Sequence, residues 1–203
     1  MGRTVHDIDE LFGVVEVDGA YFGAAPRQEN KLAERVDRRT ARDRNPNRRV
    51  VAVARERAGR TLPYVVRSER EAVAIFRKKI ASGTIVHADE SRAWDVLHAS
   101  YDTRRVNHSI ELVGPNGESV NQVESYNARL RRAEYGQHHR INGQYLQQYA
   151  NEAAWREDFR TEGNERHWRL VIRTSLNMKK SRVWCGYWQC GTGDLTAIPG
   201  TQQ

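Results

Sequence analysis

The run GVVEVDGAYFG, residues 13–23, constrains the fold most, because it alternates apolar and polar positions and is rich in Val, Tyr and Phe. That pattern predicts a β-strand. Asp18 stands in its middle, where Asp is disfavoured unless something specifies it. Two readings of this aspartate are open. Asp18-Gly19 between alternating apolar residues is a two-residue hairpin signal. Alternatively the strand runs on through Ala20, Tyr21 and Phe22, which have no evident returning partner nearby, and Asp18 is a functional carboxylate carried on it.

Two further strands are predicted at VVAVARE (50–56) and TLPYVVR (61–67), joined as a hairpin around Ala58, Gly59 and Arg60, so that the first three strands form an antiparallel meander. Ser68 and Glu71 have the spacing of a capping box ahead of EAVAIFRKKIAS, whose Val73, Phe76 and Ile80 share one helical face before Gly83. TIVHAD (84–89) follows as a short apolar strand, and a strand–helix–strand crossing of this length implies parallel pairing. RAWDVLHASY (92–101) predicts a short helix and TRRVNHS (103–109) another strand. After a turn at 114–117, Ser119 and Gln122 have capping-box spacing for a helix reaching about Tyr135, and the chain to about Asn177 is mainly helical. The order gives an α/β fold with a mixed sheet of about five strands and flanking helices.

Charge suggests a partner. The chain of 203 residues carries 33 Lys and Arg against 26 Asp and Glu, a formal net charge of +7. Residues 24–49 hold nine Lys or Arg against four Asp or Glu and almost no large apolar residue, which predicts a mobile basic loop. A polyanion such as DNA fits this balance, since neutralising phosphates releases counterions without any sequence code. The two cysteines, Cys185 and Cys190, are too few for a disulfide framework or a four-ligand zinc site and are expected to be reduced thiols. No apolar run of about 18 residues marks a membrane span, and MGRTVHDIDELF lacks a signal-peptide core, so a cytoplasmic protein is expected.

Two more carboxylates join Asp18 as candidates. Asp89 ends the TIVHAD strand; it is either the N-cap of the following helix or a ligand at the carboxyl end of a strand, where chemistry gathers in open α/β sheets. Glu124 lies 35 positions later (124 − 89), one turn into its helix, and is either a solvated residue that suits the helix dipole or a third ligand. Arg131 returns to nearly the same helical face seven positions on, as does Asn121 three positions before, while Val123, Tyr126 and Leu130 form a stripe that can pack on the sheet. Three hard oxygen ligands from different elements suit Mg2+ or Mn2+, and paired ions of this kind perform phosphodiester chemistry. A Gly-rich phosphate loop and a GxSxG elbow are absent, and His138-His139 lacks zinc-ligand spacing, which leaves those histidines as surface or DNA-facing residues.

Taken in order, VEVDGAYFG, HADES, RRVNHS and VNQVESYNARLRRAEYGQHHRINGQYLQQYANEAAWRED resemble the DDE-type insertion-sequence transposases, specifically the ISXO-type branch (insertion sequence fifteen-ninety-five), over roughly residues 10–175. The resemblance implies a ribonuclease H-like catalytic domain over 13–177, a lead-in at 1–12 and an irregular tail at 178–203. It also implies catalytic and metal-binding roles for Asp18, Asp89 and Glu124, with two Mg2+ or Mn2+ ions as cofactors; Asn121 is the alternative third residue, because some branches use Asn there. Arg131, where relatives usually carry Lys, would hold a phosphate, and Arg132, Arg38, Arg39, Arg48 and Arg49 would add to DNA binding. Transposon ends and target DNA are the implied partners, with self-association into dimers or larger assemblies. Relatives commonly carry an acidic residue where this chain has Gly19. They also carry a zinc ribbon and a helical DNA-binding region ahead of the core, so a truncated element, active or catalytically silent, is a further expectation. A host nuclease of the same fold is the rival from another class.

Overall fold

A computed structural model describes residues 10–23, 48–57, 59–106, 117–139 and 141–177. The expectations for 24–47 (with Arg38 and Arg39), for 107–116 and for the tail at 178–203 with its two cysteines lie outside the described residues. The chain divides into two compact units, Met1–Thr161 and Glu162–Gln203.

In the first unit the strands are β1 (Val14–Phe22), β2 (Arg49–Glu56), β3 (Thr61–Val66), β4 (Ile85–Ala88) and β5 (Asp102–Arg105). They form one sheet in the order β3-β2-β1-β4-β5. The meander β1-β2-β3 is antiparallel, and β4 and β5 extend the sheet in parallel from the other side of β1. This is the mixed five-stranded sheet that the sequence led one to expect. β1 is central, so both of its edges are hydrogen-bonded.

Alternation along β1 sorts its side chains onto two faces. Val15 and Val17 join Leu62, Val73, Phe76, Val86, Trp94 and Leu97 in one core, against helix α1 (Glu69–Phe76) and the 3-10 helix Arg92–Ala99. Ala20 and Phe22 join Val51, Val53, Val123, Tyr126, Leu130 and Leu146 in the second core, beneath α2 (Asn121–Arg132) and α3 (Leu146–Asp158). The stripe expected at Val123, Tyr126 and Leu130 is therefore what docks α2 on the sheet. A buried ion-pair network ties the same layer together: Glu157 of α3 pairs with Arg55 of β2 at 3.2 Å and with Arg129 of α2, and Arg55 Nε also donates to Gln122 Oε1 at 3.2 Å.

Several local expectations change. Asp18 and Gly19 are not a hairpin turn: they lie within β1 opposite Val53 and Ala52. Helix α1 ends at Phe76, and Ile80, still buried with Val73 and Phe76, forms a bridge with Leu11 instead of a further helical turn. Neither capping box closes as spaced. Ser68 makes no side-chain cap and Glu71 accepts from the Arg67 N–H at 3.0 Å, while α2 begins after Val120 with its first amides held by a residue from β1. After Arg132 the helix widens into a π-turn, Ala133–Gln137.

The second unit contains α4 (Asn164–Asn177). Its ion pairs at i,i+4 join Arg169 to Glu165 at 2.7 Å and Arg166 to Glu162 at 3.0 Å, a spacing that supports isolated helices. Among the described residues no helix is long and apolar enough to cross a membrane.

Candidate active site

The face of β1 that looks toward α2 carries Glu16, Asp18, Ala20 and Phe22. Val17 and Ala88 are the last partners of the parallel β1–β4 pair, so Asp18 and Asp89 each stand one step beyond them at neighbouring positions. The sheet thus brings together two carboxylates that are 71 positions apart (89 − 18) in sequence.

Asp18 is held through both oxygens. Oδ1 accepts the Gly19 N–H at 2.7 Å, and Oδ2 accepts Asn127 Nδ2 of α2 at 2.8 Å. Burial, then the charge of Asp89, and more weakly that of Glu124, push its carboxyl up to about 6, against the lowering effect of those two donors. Both other candidates therefore act electrostatically on Asp18, and the three acidic residues occupy one neighbourhood.

Asp89 is not the cap of the following helix. Ser91 fills that role, its Oγ accepting the Ala93 N–H at 3.4 Å, and Asp89 Oδ1 accepts the Ser91 N–H at 3.1 Å. Ser91 Oγ in turn donates to Glu69 Oε2 at 2.6 Å. Glu69 is raised above the ordinary carboxylate value by burial, with Asp89 adding to the rise and the Ser91 bond opposing it.

Glu124 is exposed in the first turn of α2, and the turn is positioned from below. Glu16, fully buried on β1, accepts the Gln122 N–H at 2.9 Å and the Val123 N–H at 3.3 Å, and pairs with Arg57 Nε at 3.3 Å. An anionic acceptor there satisfies amides that a helix N-terminus leaves without partners and matches its dipole. Burial still raises the Glu16 carboxyl above its usual value, outweighing these donors. Beside it on β4, buried His87 accepts the Ser119 N–H at Nδ1, 3.2 Å away, and burial lowers its pKa, which favours the neutral ring.

These contacts also fix the direction of α2. Glu16 meets residues 122–123 and Asp18 meets residue 127, so helix and strand advance together by about 7 Å. Arg131 and Arg132, exposed in the last turn, therefore lie past Asp18 toward the Phe22 end of β1. Arg49 pairs with Phe22 at that same end, and the Arg48 guanidinium lies 4.0 Å over the Tyr21 ring. Four of the six arginines expected at DNA are thus at one end of the sheet. Asn121 is exposed at the first position of α2, its N–H bonded to Ser119 Oγ at 3.3 Å.

The amide that touches Asp18 is Asn127, one turn beyond Glu124, and sequence reasoning passed over it together with Glu16 and Glu69. A signal existed for Glu16: acidic residues at 16 and 18 share one face of a strand otherwise built for burial. Asn127 and Glu69 carry no comparable mark.

An all-oxygen set of carboxylates fits a hard divalent cation; the Asp18 carboxyl is raised first by burial and then by the charge of Asp89, and a cation would offset that charge. Among the described residues no three His, Cys, Asp or Glu side chains are drawn together closely enough to cage an ion.

An α/β domain with acidic residues just past the last paired positions of two adjacent parallel strands is the class that this fold and site define. The sequence profile of the ISXO2-like transposase domain matches residues 10–158, and the chain belongs to that family. No curated protein sequence matches it. The crystal structure of the Mos1 strand transfer complex is similar at 10% identity, over 72% of this chain and 53% of that one, with a TM-score of 0.30. The chain thus spans about half the length of that protein.

Proposed function

We propose that this transposase domain is a catalytic core that cuts and joins DNA, with Asp18, Asp89 and Glu124 holding two divalent cations, Mg2+ or Mn2+. The observation that carries this reading is the β1–β4 register, which sets Asp18 and Asp89 at neighbouring positions, with α2, the helix of Glu124, bonded to Asp18 through Asn127. Glu124 is preferred to Asn121 as third ligand because it acts on Asp18 and because an anionic oxygen binds a hard dication better than an amide does.

In the proposed reaction water adds to a phosphorus at a transposon end and the P–O3′ bond breaks, leaving a 3′-hydroxyl and a 5′-phosphate. That hydroxyl then attacks a target phosphodiester, forming a new P–O3′ bond as the target's own P–O3′ bond breaks. The bound cations would supply activation of the attacking oxygen and stabilisation of the leaving one. The Gly19 N–H and Asn127 hold the Asp18 carboxylate in one orientation, and Glu16 fixes the turn that presents Glu124. Arg131 and Arg132, with Arg48 and Arg49, are suited to grip phosphates along the DNA, since guanidinium groups engage phosphate in a bidentate fork. Holding two ends at once calls for self-association of the chain.

Nicking of supercoiled plasmid at low salt with Mn2+ or Mg2+ tests the proposal. Nicking that requires the cation and falls by about 100-fold or more in both Asp89→Asn and Glu124→Gln is expected, the scale set by loss of a group acting in the transition state. Salt-sensitive DNA binding without nicking would overturn it in favour of a catalytically silent DNA-binding domain, and selective cutting of branched DNA would favour a host nuclease.

A further inference from the structure

Gly19 follows Asp18 on the face of β1 turned toward α1. Its backbone is not left-handed, so conformational freedom does not account for a glycine there. Space does. A Cβ at this position would lie 2.7 Å from Glu69 Cγ, 2.9 Å from Oε1 and 3.1 Å from Cδ. Cγ is mid-chain, so a methyl group there would displace the side chain rather than only its tip.

What Glu69 does from that seat follows from its partner. Its Oε2 accepts a hydrogen bond from the Ser91 hydroxyl at 2.6 Å, which leaves the lone pairs of Oγ to accept from the Ala93 N–H, and the backbone N–H of the same serine donates to Asp89 Oδ1 at 3.1 Å. One serine therefore couples α1 to the Asp89 carboxylate and to the start of the 3-10 helix. We propose that Glu69, acting through Ser91, is the positioning residue for Asp89, and that Gly19 is the seat its side chain requires. This rests on the proposed role of Asp89 as a ligand. Glu69 itself bonds to Ser91, and its task needs a hydrogen-bond acceptor rather than a charge.

Four substitutions separate the alternatives. Glu69→Gln keeps an acceptor for the hydroxyl, Glu69→Ala and Ser91→Ala remove the bond, and Gly19→Ala expels the side chain. Hydrogen exchange of the amides of residues 89–99 in the metal-free protein is expected to accelerate in Gly19→Ala, Glu69→Ala and Ser91→Ala and to stay at the native rate in Glu69→Gln. In plasmid nicking the same three variants should need about 10-fold or more Mn2+ for half-maximal rate, the usual cost of losing a partner that orients a ligand, with Glu69→Gln close to native. Adding Gly19→Ala to Glu69→Ala should cost nothing further, because the space is already vacant. Unchanged exchange and Mn2+ requirement in Glu69→Ala would overturn the proposal. So would a Glu69→Gln as impaired as Glu69→Ala, which would make Glu69 a ligand in its own right. Additive losses in the double variant would overturn the role of Gly19. A native chain that never nicks DNA would remove the transposase reading alone, since the exchange comparison still decides what Glu69 does.

Discussion

Burial and the charges of Asp89 and Glu124 carry the Asp18 carboxyl from its ordinary 3.8 to about 6. Between those values the folded chain keeps a proton that the unfolded chain has released. Asp18 therefore favours folding at the acid end of that window, and its contribution is lost as pH rises through about 6. Asp158, also raised to about 6 by burial, acts with the same sign. At neutral pH the charged form of Asp18 costs on the order of 1–3 kcal/mol after allowance for its partial exposure. Asp18→Asn should accordingly stabilise the metal-free protein by about that amount at pH 7, with the advantage shrinking toward pH 5. Urea denaturation at the two pH values checks this, and equal stability of variant and native chain at pH 7 would refute it. Asp18 and Asp89 were legible as candidates because the first interrupts an apolar strand and the second ends one, whereas Glu124, an ordinary acidic residue in a helix's first turn, stood out only through the family resemblance. Asn127 was not legible, because its meaning lies in one contact that spans 109 positions.

At the scale of elements, the placing of α2 depends on a strand residue. Glu16 supplies the acceptor that the expected Ser119 and Gln122 box was to supply, reaching 106 positions along the chain to the Gln122 amide. Glu16→Ala would leave the part-buried Gln122 amide, the buried Val123 amide and Arg57 without that acceptor and should cost about 2–4 kcal/mol. Amide exchange at residues 120–124 should quicken, whereas an unchanged rate there would show that the helix is capped some other way. Strands and their pairing were readable because alternation and β-branched residues report directly on a sheet. The ends of α1 and α2 were not, because caps from distant elements override local spacing. The helix expected through Ile80 stops at Phe76 because Ile80 reaches the same core by bridging to Leu11.

At the scale of the whole molecule, the proposed grip of the arginines past Asp18 on DNA would make affinity a matter of counted phosphates. Alanine at Arg48, Arg131 or Arg132 should each lower the slope of log affinity against log salt by about one. Filter binding across a salt series measures it, and unchanged slopes would move the DNA path elsewhere. The sheet order was only half legible: the meander and a parallel crossing follow from spacing, but β1 as the central strand is a property of the completed sheet. That centrality bears on biosynthesis. β1 leaves the ribosome before the other four described strands, yet its parallel partner, β4, ends only at Ala88. For as long as those intervening residues take to be translated, a Val-rich strand keeps one edge unpaired and open to neighbouring nascent chains. The carboxylates of Asp18 and Asp89 meet only when that wait is over, so the nascent chain cannot assemble its acidic site before the sheet that supports it has closed.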